Sequence, residues 1–490
     1  MTQHHLFLTQ GKLWANSLKT SLDSATPRVQ LFFAANCLKF LGIICAGIAS
    51  FFNFQPLALG TSLGLILWLS LMIAIAIPRA PLSVCQRWLK PAYKTSLAIL
   101  VIAMSLHIVV ASTVMIWKTV DSDSLPSIAH GVTAPFATLS DASRLTMQAA
   151  ENILAGKNPY EHANIVTASA ASMEAHTKLT PLRTGAFADD FPYPTQDEIK
   201  NAWDAAVTNP DITPSEFESK FNYPAGSFLL LTPFTMLGIN DIRLILIVLI
   251  MPALIYAMRK VAPRQRWYLA LGILLSYELW NLIFTFDTKL LCLPFMLVGW
   301  LIAPRRPWLS AVLIGIAVAT KQTAWFLLPF YFIFIWQTAG LRPALRSGMV
   351  IVAVFFIANA PFIIADPPLW LSSVMAPMTD PMFPLGHGVI SFVTSGLIHL
   401  DSPLIFTVLE VAAFAGCLIW YLRHARRCPH SGLILALVPL FFAWRSILSY
   451  FCFVDIILLS TILVQESQQP VQHLATTLVE QPVINNASLM

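Results

Sequence analysis

The segment SLAILVIAMSLHIVVASTVMIW, residues 96–117, decides the fold of this chain because it contains no Asp, Glu, Lys or Arg. A helix that crosses the hydrocarbon core of a bilayer needs about 20 mostly apolar residues. The chain as a whole has the same character, since 57% of its 490 residues are hydrophobic, 11% are charged and the mean hydropathy is +0.68. Soluble globular domains carry charge on about a quarter of their residues. The sequence therefore predicts an all-α polytopic membrane protein.

Twelve segments are apolar enough to be candidate spans, so we expect about 12 transmembrane helices. They are residues 31–52, 57–78, 96–117, 241–258, 267–283, 286–303, 307–320, 323–338, 347–365, 403–423, 431–446 and 448–466. The first three lie within residues 31–117 and the other nine within residues 227–466. The polar segment 118–226 lies between the two groups, and we expect it to be exposed to water.

Five short loops carry Lys or Arg and no acidic residue, and they indicate the orientation of the chain. They are residues 79–94, 259–266, 305–306, 342–346 and 423–427. Short cytoplasmic loops carry such an excess of basic residues. One path with twelve spans places all five in the cytoplasm, together with the N-terminal segment 1–30 and the C-terminal tail 467–490. The same path places the polar segment 118–226 and the loop 366–401 outside.

This path requires that residues 227–238 do not cross the membrane. The apolar part of the segment, SFLLLTPFTML, is about eleven residues long and contains Pro233. It is too short for a span, so it predicts a re-entrant or interfacial helix. A crossing here would instead place the basic loop 259–266 outside.

The polar segment 118–226 holds 14 of the 25 carboxylates of the chain and seven Lys or Arg residues. Within it, DASRLTMQAAENILA, residues 141–155, has the apolar spacing of an amphipathic helix. Ser140 or Asp141 is the expected N-cap and Gly156 closes the helix. Residues 161–220 are expected to form short helices and loops. The polar segment 118–226 is therefore expected to be helical, like the membrane part.

Several function classes lack support in the sequence. The basic residues are scattered through short loops, which is not the pattern of a nucleic-acid-binding surface, so no nucleic acid is expected as a partner. No Walker loop, dinucleotide-binding glycine pattern or His-Glu-x-x-His motif occurs, and we expect no cofactor. The adjacent Asp189 and Asp190 are weak candidates for a divalent cation, although acidic residues in loops are usually only solvated.

A series of short motifs follows the third predicted span. An Asp and an amphipathic helix lead to Gly-Lys-Asn-Pro-Tyr and then to Phe-Asn-Tyr-Pro, and a later Gly-containing span ends in Lys and is followed by Pro. The residues are Asp141, Gly156, Asn158, Pro159, Tyr160, Phe221, Tyr223, Pro224, Gly315, Lys321 and Pro329. This arrangement resembles that of the GT-C glycosyltransferases and is most similar to the bacterial mannosyltransferases that use polyprenyl-phosphate mannose. Three features differ: Ala225 stands where a second Pro is common, two extra spans come first, and about 60 residues separate Tyr160 from Phe221.

The resemblance implies an inverting enzyme that moves a mannose-like monosaccharide from a polyprenyl phosphate to an acceptor hydroxyl at the external membrane face. The implied partners are the polyprenyl-phosphate sugar donor, a lipid-linked or glycan acceptor, and membrane lipid. The implied location is a bacterial cytoplasmic (inner) membrane. With the orientation from the basic loops, both termini would be cytoplasmic.

Asp141 is the candidate catalytic residue. Glycosyl transfer needs a base that takes the proton of the acceptor hydroxyl, and a carboxylate beside apolar surface can have its pKa raised into a useful range. The alternative is that Asp141 only caps the helix that begins there.

The leaving group of such a donor is a phosphate, which needs fixed cations in a poorly hydrated site. Lys321 ends a predicted span on the external side and is the first candidate, and Arg445 is the second. Lys289 and His387 are further candidates on the same side. Lys321 or Arg445 could instead extend to lipid headgroups, as Lys and Arg at helix ends often do.

A second group of residues is expected to position the substrates. It comprises Asn158, Tyr160, Tyr223, Asp287 and Gln322. The tyrosines could stack on a sugar ring or hold the polyprenyl chain. A structural role is open for both, because Tyr gathers at membrane interfaces and Asn-Pro-Tyr and Tyr-Pro are turn sequences.

Two other functions remain compatible with the sequence. A polysaccharide polymerase or ligase that uses an undecaprenyl-diphosphate glycan would also be polytopic, and residues 366–401 with His387 are the matching loop. A non-enzymatic lipid or solute transporter would show duplicated halves with broken helices at corresponding positions, and no duplication is visible.

Overall fold

The computed structural model describes residues 24–51, 59–78, 86–120, 139–170, 175–285, 287–452 and 454–468. The expected cytoplasmic segments 1–30 and 467–490 therefore lie mostly outside the described residues, and so does part of the polar segment. The described chain is mostly helical and contains one pair of two-residue strands. This agrees with the all-α class expected from the sequence.

The α-helices are numbered in chain order. They are α1 Pro27–Phe51, α2 Leu59–Ala76, α3 Gln86–Val120, α4 Asp141–Leu154, α5 Ile165–Ala168, α6 Gln196–Val207, α7 Gly226–Met236, α8 Ile242–Lys260, α9 Arg266–Leu274, α10 Tyr277–Phe284, α11 Leu293–Ile302, α12 Pro307–Thr320, α13 Leu328–Ala339, α14 Leu341–Ala365, α15 Pro367–Thr379, α16 Ser391–Thr394, α17 Leu404–His424, α18 Ser431–Leu435, α19 Val438–Phe442 and α20 Val454–Gln468. Short 3₁₀ helices occupy Ala175–Lys178, Gly185–Phe187, Pro263–Gln265, Thr288–Cys292, Gln322–Leu327 and Leu448–Phe451. The strands are β1 Leu385–Gly386 and β2 Arg445–Ser446.

Seven of the described helices are long and apolar enough to cross a membrane, and the number rises to eight if the bent pair α9 and α10 forms one span. The seven segments are Pro27–Ile48, Leu59–Ala76, Arg87–Val110, Ile242–Lys260, Leu341–Ala365, Leu404–His424 and Leu448–Gln468. The remaining predicted spans coincide with shorter apolar helices. The multi-pass character is thus supported, whereas the total of twelve and the side on which each loop lies stay predictions.

The two helices that precede the resemblance pack tightly on each other and on the rest of the bundle. Gly42 of α1 and Gly64 of α2 allow close contact, because a Cβ at Gly64 would lie 2.9 Å from the Leu38 carbonyl oxygen. Small residues serve this purpose in membrane helix pairs. Lys39 of α1 forms an ion pair with Glu278 of α10. The N-terminal helices are therefore part of the main bundle.

Two predicted spans begin with a 3₁₀ helix, although a continuous α-helix was expected. The predicted span 286–303 begins as the 3₁₀ helix Thr288–Cys292, and the predicted span 323–338 begins within the 3₁₀ helix Gln322–Leu327. In both cases the α-helix starts just before a proline, Pro294 or Pro329. Proline lacks an N–H group and has a fixed φ, which suits the first turn of a helix. The two α-helices are shorter than the apolar runs that predicted them.

Two other predicted spans are not single continuous helices. The predicted span 431–446 is divided into α18, α19 and the strand β2, and the predicted span 267–283 bends by 50° between α9 and α10. The strand β2 pairs in parallel with β1, with Leu385 opposite Arg445. Gly388 permits this arrangement, because a Cβ there would collide with the Phe441 carbonyl oxygen. A sequence criterion based on apolar length does not detect such close backbone contacts.

The third helix, α3, begins ten residues earlier than predicted. Arg87, Lys90 and Lys94 were expected in a loop but lie in its first turns. Lys and Arg are good helix formers, so a spanning helix can continue beyond the apolar core.

The polar segment forms the short helices and loops that were expected, and it packs against the loop 366–401. Antiparallel bridges join Pro181 to Phe217 and Leu182 to Met382. The backbone N–H of Arg183 also donates to the Pro381 carbonyl oxygen at 2.8 Å. The two loops, far apart in sequence, therefore form one joined layer, and α4 of the same segment packs on α7.

Candidate active site

A cavity of about 660 Å³ lies where the polar segment, the loop 366–401 and the ends of several apolar helices meet. Six of the predicted site residues line it. They are Asp141, Tyr223, Lys289, Lys321, Gln322 and Arg445. The lining residues span positions 140 to 450, so the fold brings distant parts of the chain to one place.

Asp141 is the first residue of α4, and Ser140 is the N-cap. The Ser140 hydroxyl oxygen accepts a hydrogen bond from the Ser143 N–H at 3.2 Å. Asp141 Oδ1 accepts from the N–H of the adjacent Ala142 at 2.6 Å. Because Ser140 caps the helix, the cap does not account for the carboxylate of Asp141, which lines the cavity at the positive end of the helix dipole.

Lys321 joins α12 to the following 3₁₀ helix with an extended backbone conformation, and the residue is only 2% exposed. Its ammonium group donates to Thr288 Oγ1 at 3.0 Å and lies 3.1 Å from the centre of the Tyr223 ring. Burial lowers the pKa of Lys321 to about 7, and the negative charge of Asp287 partly opposes this effect. A bound anion would stabilise the charged form of such a lysine.

Lys289 and Asp287 form a pair on the same side of the cavity. Asp287 caps the 3₁₀ helix Thr288–Cys292 by accepting from the Lys289 N–H at 2.8 Å, and the Lys289 ammonium lies 3.1 Å from Asp287 Oδ2. Lys289 lines the cavity, whereas Asp287 does not. Asp287 therefore lies behind the lysine and holds it in place.

Arg445 lines the cavity from β2, where its guanidinium group donates to the Phe383 carbonyl oxygen at 3.3 Å. His387, in contrast, does not line the cavity. Its backbone N–H donates to the Ser446 carbonyl oxygen at 2.8 Å, and burial lowers the pKa of its imidazole. The structure thus brings three of the four predicted phosphate ligands together and leaves His387 outside the group.

Asn158 and Tyr160 also lie outside the cavity lining. Asn158 Oδ1 accepts from the Tyr160 N–H at 3.1 Å, which closes the turn after α4. The Tyr160 ring packs on Phe221 and Phe362, and its hydroxyl donates to the Tyr223 carbonyl oxygen at 2.9 Å. These contacts connect the turn to the backbone of Tyr223, so any influence of Asn158 and Tyr160 on a substrate is indirect.

Gln322 lines the cavity and joins three segments. Its side-chain amide donates to the carbonyl oxygens of Asn222 and Val374. It therefore fixes the segment before Tyr223 and the helix α15 relative to Lys321.

Asp189 and Asp190 do not line the cavity, although the adjacent Ala188 does. Among the residues that the structure describes, no group of three or more His, Cys, Asp or Glu side chains is arranged to hold a metal ion. The cavity instead contains a mixture of separate carboxylates and cations.

Sequence reasoning missed Glu218 and Asp380, which line the cavity together with Arg183. Glu218 was not distinguished from the other carboxylates of the polar segment. Its position three residues before the Phe-Asn-Tyr-Pro motif was the available signal. Asp380 was hidden in the loop 366–401, whose contact with residues 175–220 no sequence pattern predicted.

In comparisons with known proteins, one family model matches part of the chain. No curated protein and no solved structure matches the chain significantly. The match to the family model begins at the Phe-Asn-Tyr-Pro motif and ends in α19. It therefore covers Lys289 and Lys321 but not Asp141. Residues 221–441 match the family model described as Glycosyltransferase family 87, a GT-C-type family, and this match indicates a membrane glycosyltransferase.

Proposed function

We propose that this protein transfers a monosaccharide from a polyprenyl-phosphate donor to a hydroxyl group of a lipid-linked or glycan acceptor. The observation that carries the proposal is the presence of Asp141 in one cavity with Lys289, Lys321 and Arg445. A carboxylate that can accept a proton and cations that can hold a leaving phosphate are the two requirements of this chemistry.

In the proposed reaction, Asp141 takes the proton of the acceptor hydroxyl as the acceptor oxygen forms its bond to C1 of the donor sugar. The bond between C1 and the phosphate oxygen breaks, and its electron pair leaves with the polyprenyl phosphate. Attack from the side opposite the phosphate inverts the configuration at C1. Lys321, Lys289 and Arg445 stabilise the negative charge that develops on the phosphate. The reaction uses no cofactor.

The donor chain would lie against the apolar part of the cavity. Phe326, Met375 and Met378 line this part, and the Met378 side chain is 78% exposed at its edge. An apolar wall that reaches the surface of α15 suits a polyprenyl chain that arrives from the bilayer. The sugar is mannose in the bacterial family that the sequence resembles, and we propose a mannose-like hexose here, used at the external face of a bacterial cytoplasmic membrane.

The test is a donor comparison with the purified protein in nanodiscs. Four radiolabelled donors are supplied separately, with bacterial lipid extract as acceptor: polyprenyl-phosphate mannose, polyprenyl-phosphate glucose, nucleotide-linked mannose and an undecaprenyl-diphosphate glycan. The proposal expects transfer from a polyprenyl-phosphate sugar and none from the nucleotide sugar. Transfer from the nucleotide sugar alone, or from an undecaprenyl-diphosphate glycan alone, would contradict it.

A further inference from the structure

Glu218 is a buried carboxyl group that the proposed reaction does not use. It is 3% exposed and lines the cavity. Its Oε1 accepts from the Lys220 N–H at 2.9 Å, while Oε2 has no hydrogen-bond partner among the described residues. A buried polar atom without a partner costs about 1–3 kcal/mol. A ligand that donates a hydrogen bond to Oε2 would remove this cost.

The backbone holds Glu218 firmly in this position. Its N–H donates to the Thr180 carbonyl oxygen at 2.9 Å, and the Leu182 N–H donates to the Glu216 carbonyl oxygen at 2.9 Å. These bonds flank the bridge between Pro181 and Phe217. The side chain therefore projects from an ordered pair of extended segments, which favours a binding role.

The charges around Glu218 keep it partly protonated near neutral pH. Burial, followed by the negative charge of Asp380, raises the pKa of Glu218 to about 7, and Asp141 adds to the rise. The Lys220 N–H, which donates to Oε1, opposes this rise in pKa, and so does the Lys220 ammonium group, which is paired with both oxygens of Asp380 at 2.9 and 2.8 Å. Arg183, Tyr223 and Asp401 also line this part of the cavity and are ionisable.

Charge is divided across the cavity. The cations Lys289 and Lys321 come from the ends of the helical bundle and Arg445 from β2, which pairs with β1 of the loop 366–401, whereas Asp141, Glu218, Asp380 and Asp401 come from the two joined loops. Arg183 on the loop side and Glu410 on the bundle side are exceptions. A phosphate would be repelled on the loop side and attracted on the bundle side. A neutral hydroxyl group, in contrast, can donate to a carboxyl oxygen.

We propose that Glu218 binds a hydroxyl group of a neutral carbohydrate acceptor through Oε2, so that the loop side of the cavity is the acceptor subsite. This inference rests on the proposed glycosyl transfer and adds the chemical class of the acceptor. Glu218 then positions the acceptor, and Asp141 remains the base.

The first test compares Glu218→Gln with Glu216→Gln, which makes the same chemical change two residues away and outside the cavity lining. Both variants receive polyprenyl-phosphate mannose, with octyl α-mannoside and octyl β-glucoside as acceptor probes in nanodiscs. We expect Glu218→Gln to raise the acceptor KM about tenfold, equivalent to about 1.4 kcal/mol, and to leave the donor KM unchanged. An unchanged acceptor KM, or an equal rise of both KM values, would overturn the inference.

The pH dependence gives a readout that a purely structural role would not change. A carboxylate accepts a stronger hydrogen bond than a neutral carboxyl group does. In the wild type, the acceptor KM should therefore fall between pH 6 and pH 8 as Glu218 loses its proton. In Glu218→Gln the acceptor KM should show no such fall, and a fall of the same size in both proteins would overturn the inference.

The second test requires no turnover. Difference infrared spectroscopy of the wild type should show a protonated carboxyl C=O band that disappears as the pH rises through about 7. Other carboxyl groups, such as Glu410, contribute equally to all the proteins, so subtracting the Glu218→Gln spectrum from the wild-type spectrum should leave this band, whereas subtracting the Glu216→Gln spectrum should not. An octyl glycoside should lower the midpoint of this titration, because a hydrogen bond to the carboxylate favours the charged form.

The two tests separate the inference from the proposed function. If the band of Glu218 does not respond to either glycoside, the acceptor subsite is wrong even when transfer occurs. If the band responds but no polyprenyl-phosphate sugar is transferred, the proposed function is wrong and carbohydrate binding at Glu218 is supported.

Discussion

Lys321 combines deep burial with a position in the cavity, and its contacts explain what it can do. Thr288 and the Tyr223 ring hold the ammonium group, and no described carboxylate forms an ion pair with it. A buried cation without a carboxylate partner is suited to a transient anion. This is the arrangement that a leaving phosphate requires.

The first prediction concerns Lys321→Met, which removes the charge and preserves much of the side-chain volume. We expect kcat/KM for the polyprenyl-phosphate donor to fall about 100-fold, since one preorganised group that stabilises the charge of the transition state contributes about 2.7–4 kcal/mol. Lys157→Met on the exposed turn after α4 is the control and should retain activity. Equal activity of the two variants would show that Lys321 does not hold the phosphate.

At the level of single residues, the sequence singled out Asp141 and Lys321, which both line the cavity, because each follows a recognisable pattern, a helix start or the end of an apolar run. It did not find Glu218, whose burial depends on contacts with Thr180 and Lys220. It also could not distinguish Arg445 from His387. Arg445 lies on β2 and His387 directly follows its partner strand β1, and only the arginine lines the cavity.

Secondary-structure elements set the shape of the cavity through departures from regular helix. Lys289 lies in a 3₁₀ helix inside the predicted span 286–303, and Gln322 begins the 3₁₀ helix that replaces the first turns of the predicted span 323–338. The apolar runs predicted that helices exist there. The changes in their first turns depend on proline positions and caps, which a hydropathy window does not resolve.

The second prediction concerns the pairing of β1 with β2, which places Arg445. Gly388→Ala would force a Cβ into the Phe441 carbonyl oxygen. Such overpacking against backbone should lower the free energy of unfolding by about 2 kcal/mol or more. We also expect reduced transfer activity, because Arg445 would be displaced.

The control for this prediction is Gly416→Ala in α17, where a Cβ meets nothing within 4 Å. Alanine is favoured over glycine in a helix by up to about 1 kcal/mol, so this variant should be as stable as the wild type or slightly more stable. Thermal midpoints measured in nanodiscs compare the two. If Gly388→Ala matched Gly416→Ala in stability and activity, the close contact between Gly388 and Phe441 would be needed neither for folding nor for the position of Arg445.

Across the whole molecule, the two N-terminal helices are attached to the bundle by a buried ion pair. Lys39 is 3% exposed, pairs with Glu278, and donates to the Phe451 carbonyl oxygen at 3.1 Å. The third prediction is that Lys39→Met destabilises the protein by about 3–5 kcal/mol, because it leaves a buried carboxylate without its partner.

The double variant Lys39→Met with Glu278→Gln should recover much of this loss, since neither charge then remains unpaired. Thermal midpoints of the wild type, both single variants and the double variant form a double-mutant cycle. Additive losses would show that the pair does not couple the N-terminal helices to the bundle.

The orientation of the whole chain gives the fourth prediction. In a protein without native cysteines, Lys200→Cys on α6 should react with a membrane-impermeant maleimide in intact cells, because its side chain is 53% exposed and we expect it outside. Arg264→Cys should react only after permeabilisation. The opposite labelling pattern would place the polar segment in the cytoplasm and exclude the proposed reaction at the external face.

The sequence predicted the class of the molecule more fully than its site, and the reason is physical. Apolar length and basic loops are properties of short segments, so they identify helices and predict an orientation. The cavity depends on contacts between residues 175–220 and the loop 366–401, such as the ion pair of Lys220 and Asp380. These contacts join distant segments and leave no local pattern.

The central claim is that Asp141 is the base in a transfer from a polyprenyl-phosphate sugar. The most direct measurement compares the transfer rates of Asp141→Asn and Asp211→Asn, two identical chemical changes, in nanodiscs with polyprenyl-phosphate mannose. A general base contributes about 10²–10⁴-fold, so Asp141→Asn should lose at least about 100-fold, whereas the exposed Asp211→Asn should keep the wild-type rate. Full transfer by a normally folded Asp141→Asn protein would contradict the account.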